Sequence, residues 1–380
     1  MISAPLDVKR RLALWCGAVL LACLGAAGPA RAQSSVVTVA HGLVNPWAVA
    51  FLPDGRFLVT ERPGRMRIVA ADGKLGPPLP GLPTVAAEGH GGLLDVVTDP
   101  KFANNRLVYW SYSEPGEAGT NGTAVARARL DGEHGAERLT SVQIIFRQAP
   151  KVASRLHFGS RLAFGQDGRL FITLGDRFSR KDDAQLLDNH LGKIVRIEAD
   201  GRVPADNPLL GRADARPEVW SWGHRNVQGA AIHPATGELW TTEHGPQGGD
   251  ELNRVLPGRN HGWPVITYGR NYGIGSKIGD GTERADVVAP AAHWVPNSIA
   301  PSGMAFLTSD RYPGWKGQLF IGSLRAQALI RIELAGNVVV KQERLLQNLN
   351  ERIRDVRQGP DGLLYLLTDN AGGRILRLMP

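Results

Sequence analysis

The chain has 380 residues, a formal charge of +8, 46 glycines, 25 prolines and only two cysteines. No Lys/Arg-rich run concentrates the charge, so a nucleic-acid partner is not expected. Both cysteines, Cys16 and Cys23, lie near the N-terminus, so the rest must be held by an apolar core rather than disulfides.

Residues 1–32 read as a secretory signal peptide. Lys9, Arg10 and Arg11 precede an apolar run from Leu12 to about Ala27, and Ala30-Arg31-Ala32 offers a small-x-small cleavage site. The run is short for a membrane span. The expectation is an exported, periplasmic or secreted protein, soluble after cleavage, with one domain over residues 33–380.

From there a unit recurs: apolar strand, Pro/Asp/Gly turn, apolar strand. Its copies are 47–61, 93–113, 161–176, 229–245, 303–324 and 354–369. Six such units at intervals of about 45 to 80 residues predict an all-β fold, a six-bladed β-propeller with four-stranded antiparallel blades. Each unit supplies the two inner strands of one blade.

This geometry sorts the polar residues. A residue before the first strand and one after the second must meet on one face, at the mouth of the central channel. Before the first strands stand Asn45, His90, His157, Arg225-Asn226, Asn297 and Arg352 to Arg354. After the second strands stand Glu61-Arg62, Asp176, His244-Gly245-Pro246, Arg325 and Asp369. The turns at the other end are ordinary Pro, Asp, Gly and Asn. Chemistry is therefore expected on one face. Arg225, Arg325, Arg352 and Arg354 suit a polyanionic ligand, because guanidinium binds carboxylates bidentately. His157 is a candidate general base, with Asp176 placed to orient it. Gly245 and Pro246, followed by Asp250 and Glu251, offer carbonyls and carboxylates of the kind calcium accepts, or simply a turn with solvated acids. No GxGxxG in a β-α setting, P-loop, GxSxG, HExxH or CxxC is present.

The segments HFGSRLAFGQDGRLFITLGD (157–176), EVWSWGHRNVQGAAIHP (218–234), TTEHGPQGGDELNRVLPGRNHGWP (241–264) and IRDVRQGPDGLLYLLTD (353–369) resemble the soluble quinoprotein glucose and aldose sugar dehydrogenases. These are six-bladed propellers that use pyrroloquinoline quinone (PQQ) and calcium. The resemblance runs from about Val44 to the C-terminus. It implies oxidation of aldoses at C1 to the lactone, with hydride passing to the quinone and electrons going on to an external quinone or cytochrome. By position it makes His157 the base and Asp176 its supporting acid. Arg225 and Asn226 fall at the quinone oxygens, and Arg325, Arg352 and Arg354 at the PQQ carboxylates. The carbonyls of Gly245 and Pro246 match ligands of a calcium on the quinone, with Asp250 behind them. Glu251, the His261 carbonyl and Tyr272 match a second calcium.

Two positions depart from the family pattern. His90 stands where glutamine is usual beside sugar or quinone, and His261 where tyrosine is usual. Short loops favour the broad aldose type over the glucose-specific type. Two other functions fit the same fold. One is a calcium-dependent lactonase drawing on Glu61, Asn226, Asn297 and Asp369. The other is a non-catalytic sugar-binding propeller. A monomer or homodimer is expected.

Overall fold

The computed structural model describes residues 35–380, so the signal-peptide expectation lies outside the described residues. Among the described residues no helix is long and apolar enough to cross a membrane. Six four-stranded antiparallel sheets carry the fold, and the only helical pieces among these residues are turns of five residues or fewer.

The blades follow the recurring unit. The first comprises Pro46–Phe51, Phe57–Glu61, Arg65–Val69 and Leu75–Pro78. The second comprises Leu93–Thr98, Leu107–Pro115, Asn121–Asp131 and Arg138–Arg147. The third to fifth open with Gly159–Phe164, Val227–Ile232 and Pro301–Phe306, each paired with the next strand in sequence. The sixth opens with Ile353–Gln358 and continues through Leu364–Thr368 and Gly373–Leu378. Its fourth, outer strand is Val36–Leu43, from the other end of the chain. The ring is thus closed by the N-terminal strand, which covers the edge of Gly373–Leu378.

The six opening strands line the channel, each against the next, the sixth against the first. Strands buried on both faces, such as Phe57–Glu61 and Leu364–Thr368, read as continuous apolar runs rather than alternating ones. Their side chains form apolar layers between neighbouring blades. One such layer joins Leu43, Val49 and Val59 to Ile353, Leu366 and Leu376.

One irregularity recurs in every blade. The innermost pair loses register close to the start of its opening strand: at Pro46/Ala48, Leu93/Val96, Gly159/Leu162, Val227/Gly229, Pro301/Met304 and Ile353/Asp355. A bulge bends the strand and re-aims the residue it contains. Here that residue includes Trp47, Leu94, Arg161, Gln228 and Arg354. All six bulges sit at the end of the channel where the polar residues were expected.

Candidate active site

Below the mouth the channel is sealed by buried charge. Arg161, 1% exposed, reaches Asp355 at 2.9 Å and Asp95 at 3.4 Å. Arg357 bonds the same two carboxylates at 3.0 and 2.6 Å. The Arg161 guanidinium lies over the Trp47 ring, 4.0 Å from its centroid. It also donates to the carbonyls of Gln228 and Arg354. The plug is therefore neutral in pairs, and it fixes the bulges above it.

Above the plug opens a cavity of about 370 Å³. All six blades contribute to it. Asn45, Trp47, His90, Leu94, Asn226, Gln228, Arg352 and Arg354 come from the starts of opening strands, and Arg62, His244 and Asp369 from the ends of second strands. The expected convergence is present for most of the set. Asn297 and Arg325 are exposed and do not line the cavity. Glu61 is turned away and neutralises Arg65 and Arg67, both at 2.8 Å. Trp47, Leu94 and Gln228 were not picked out from sequence. They sit inside strands, and the only available signal was polar or bulky residues breaking the apolar run, as in NVQGAA.

The cationic wall is organised by one carboxylate. Asp369 Oδ2 accepts from Arg352 Nη2 at 3.0 Å and from Arg354 Nη2 at 2.8 Å. Burial opposes its ionisation, but the two guanidiniums hold its carboxyl below the usual range. Arg354 also donates to Gln228 Oε1 at 3.2 Å. Its Nε and that of Arg225 are buried with no partner. Arg354 lines the cavity and Arg225 does not, so the Arg354 Nε is the unpaired donor that a ligand in the cavity could satisfy.

His157 and Asp176 stand at the edge of this cavity, above the third blade. His157 Nδ1 is 2.7 Å from Asp176 Oδ1. The other carboxylate oxygen accepts from Trp263 Nε1 at 2.8 Å. Burial drives the His157 pKa below its ordinary value, and the nearby Arg225 charge adds to this against the pull of Asp176. The ring is therefore neutral at neutral pH. With Nδ1 engaged by the carboxylate, Nε2 keeps its lone pair, and it has no partner among the described residues. His157 adopts φ +49, and a Cβ on Gly175 would lie 2.1 Å from the His157 carbonyl oxygen. Gly175 is what lets the two ends of this hairpin approach.

His90 stacks on His157 with ring centroids 5.9 Å apart. Enclosure by the funnel wall comes first, and the Arg354 and Arg62 charges, with His157 and His244 competing for the same proton, add to it; the His90 pKa is pushed down to about 3. His90 is exposed at the rim of the cavity, and its ring is neutral. His244 is pushed down to about 4, first by burial, and Nε2 donates to the Pro301 carbonyl at 2.7 Å.

Arg225 packs 5.2 Å from the Trp263 ring. Its Nη1 donates to the carbonyls of His244 and Gly245, at 2.9 and 2.6 Å. Its backbone N–H is held by Glu243 Oε2, a residue sequence reasoning did not single out. Asn226 Oδ1 accepts from Gly159 N at 3.2 Å, tying the third blade to the fourth. Asp250, fully buried, accepts from Gly245 N and Ala300 N, so it shapes the turn that presents the Gly245 and Pro246 carbonyls.

Glu251 and His261 are brought together on a second cavity of about 520 Å³. Tyr268 lines it and Tyr272 does not. Tyr272 is instead 59% exposed. Burial, with Glu243 nearby, raises the Glu251 pKa well above the carboxylate range. Both ring nitrogens of His261 are buried without a partner. No group of three or more His, Cys, Asp or Glu side chains that could hold a metal occurs among the described residues.

Fold and site together define a six-bladed propeller whose one face presents an oriented, neutral histidine beside a cation-walled cavity. The Glucose / Sorbosone dehydrogenase family profile matches residues 43–377, and the chain belongs to that family. It is 44% identical over 368 residues to the aldose sugar dehydrogenase YliI of Escherichia coli (strain K12), covering 95% of this chain and 97% of the relative. A crystal structure of a glucose dehydrogenase superposes with TM-score 0.87 at 50% identity, covering 90% of this chain and 99% of that one. The PQQ-bound aldose sugar dehydrogenase of Streptomyces coelicolor superposes with TM-score 0.75 at 30% identity, covering 92% of this chain and 98% of that one.

Proposed function

We propose that this protein is a PQQ- and calcium-dependent dehydrogenase that oxidises aldoses at C1 to the lactone, with His157 as general base. The observation that carries this is the neutral His157, locked to Asp176 with Nε2 free, at the edge of a cavity walled by Arg62, Arg352 and Arg354. Membership of the sugar dehydrogenase family and the PQQ-bound neighbour support the same reading.

The residues fit the cofactor. Arg354 and Arg352 would grip carboxylates, and the unpaired Nε of Arg354 is a free donor for a further oxygen. Arg325 is exposed and does not line the cavity, so it takes no part in this grip. By the family resemblance Asn226 and Arg225 would face the quinone oxygens, and fixed donors there would stabilise charge developing on them. His90 lines the same cavity. When bound, PQQ supplies the acceptor for the hydride leaving C1. His157 Nε2 takes the proton of the C1 hydroxyl as that hydride departs. Asp176 holds the ring in the Nδ1–H tautomer and stabilises the imidazolium that forms. Calcium would take the Gly245 and Pro246 carbonyls and act as a Lewis acid. Arg225 Nη1 donates to the Gly245 carbonyl, so an ion bound there would share that oxygen with the guanidinium or displace it. A second calcium would use Glu251 and the His261 segment.

The lactonase alternative loses support. Its ligands Glu61 and Asp369 are already bound to arginines. The electrons leave through an external acceptor, and the signal sequence favours a periplasmic or secreted location. The decisive experiment is reconstitution with PQQ and calcium, followed by dye reduction with glucose and other aldoses. Failure to bind PQQ, or PQQ-independent lactone hydrolysis, would overturn the reading.

A further inference from the structure

Phe178 is an anomaly beside the general base. It is 48% exposed, yet its ring stands at 81° to the His157 ring, with centroids 5.3 Å apart. Its φ is +65, next to Arg177 at +58. Left-handed backbone at a bulky residue is strained and persists only where the surroundings impose it.

The surroundings do impose it. The Phe178 backbone N–H donates to Asp176 Oδ1 at 2.8 Å, the same oxygen that holds His157. Arg177 is fully buried. Its guanidinium donates to the carbonyls of Leu156, Asn121 and Ser154 and lies 3.8 Å from the Phe158 ring centroid. Ser154 Oγ in turn donates to the Arg177 carbonyl. Two consecutive strained residues are thus clamped to the segment that carries the base. The product is an apolar ring held in water at the base, where the other neighbouring ring is the polar His90. An exposed aromatic held this way is informative in a way that a scattered surface apolar residue is not.

We propose that Phe178 is a specificity-determining platform. The C–H face of the aldose ring rests on its exposed phenyl group, which presents the C1 hydroxyl to His157 Nε2. This rests on the sugar-oxidising reading above. Phe178 makes no covalent or proton-transfer contribution. It sets affinity and pose, favouring pyranoses whose hydroxyls are equatorial and leave an unbroken C–H face.

The test uses the full-length protein loaded with PQQ and calcium, assayed on glucose. Phe178→Ala and Phe178→Gly are each expected to raise KM roughly tenfold, the scale of losing an apolar contact in a specificity pocket. Turnover should change less than threefold. Phe178→Trp should restore KM. Glycine relaxes the positive φ, so Phe178→Gly should melt no lower than Phe178→Ala. Unchanged KM in Phe178→Ala, or repair of KM by glycine but not by tryptophan, would overturn the platform and leave a purely backbone role. If the wild-type enzyme oxidises no aldose, the functional reading itself falls, and the platform falls with it.

Discussion

Asp176 grips His157 with one carboxylate oxygen, 2.7 Å from Nδ1, and Trp263 with the other, at 2.8 Å. The acid is therefore fixed on two sides, and it fixes the imidazole in turn. A ring held this way is poised to use Nε2 and nothing else.

Removing the ring should remove the chemistry and spare the cavity. His157→Ala is expected to cut turnover by about two or more orders of magnitude, the usual worth of a general base, with PQQ still bound. Steady-state dye reduction and the visible spectrum of the loaded protein measure the two separately. Normal turnover at saturating cofactor would refute the assignment.

The pH profile has a definite sign. Burial lowers the His157 pKa below 6.5, and Asp176 works the other way. The base is active when neutral, so kcat/KM should fall on acidification with a midpoint below about 6.5. Asp176→Asn removes the contribution that raises the pKa. Its acid limb should shift to still lower pH while its plateau drops. His90 is already neutral, so His90→Gln should leave the limb in place. An upward shift in Asp176→Asn would contradict the pairing.

Cofactor affinity should depend unequally on the arginines. Arg354 is buried with an unpaired Nε, whereas the Arg352 side chain is 46% exposed. Arg354→Met is expected to weaken PQQ binding by about ten- to a hundredfold, the scale of a lost charged hydrogen bond, and Arg352→Met by less. Titration monitored by PQQ absorbance distinguishes them.

The plug is a stability element. Arg161→Met would leave Asp95 and Asp355 to share Arg357 alone in a fully buried setting. Breaking such a pair costs about 3–5 kcal/mol, readable in urea melts of the unloaded protein. A change below 1 kcal/mol would mean that water reaches the carboxylates.

Closure has its own test. Truncating residues 35–43 would bare the Gly373–Leu378 edge of the sixth blade. A lower melting temperature and self-association are expected, measured by calorimetry and light scattering. An unchanged monomer would show that the ring holds without its closing strand.

The chain by itself determined the architecture and the polarity of the propeller. Six apolar pairs around Pro/Asp/Gly turns required six inner hairpins, because strand and turn chemistry are local. The same pattern placed His157 and Asp176 at one end of one hairpin, and it brought Arg352, Arg354, Asn226 and His90 to one face. Tertiary structure decided the rest. The bulges that aim Trp47, Gln228 and Arg354 into the cavity arise from register between strands, which the order of residues along one strand does not encode. Trp263 reaches Asp176 from 87 residues away, and Val36–Leu43 completes a blade begun at Ile353. Such contacts depend on how the ring closes. For the same reason Tyr268, not Tyr272, shares a cavity with Glu251, and Phe178 is read as part of the site only once its ring is seen against His157.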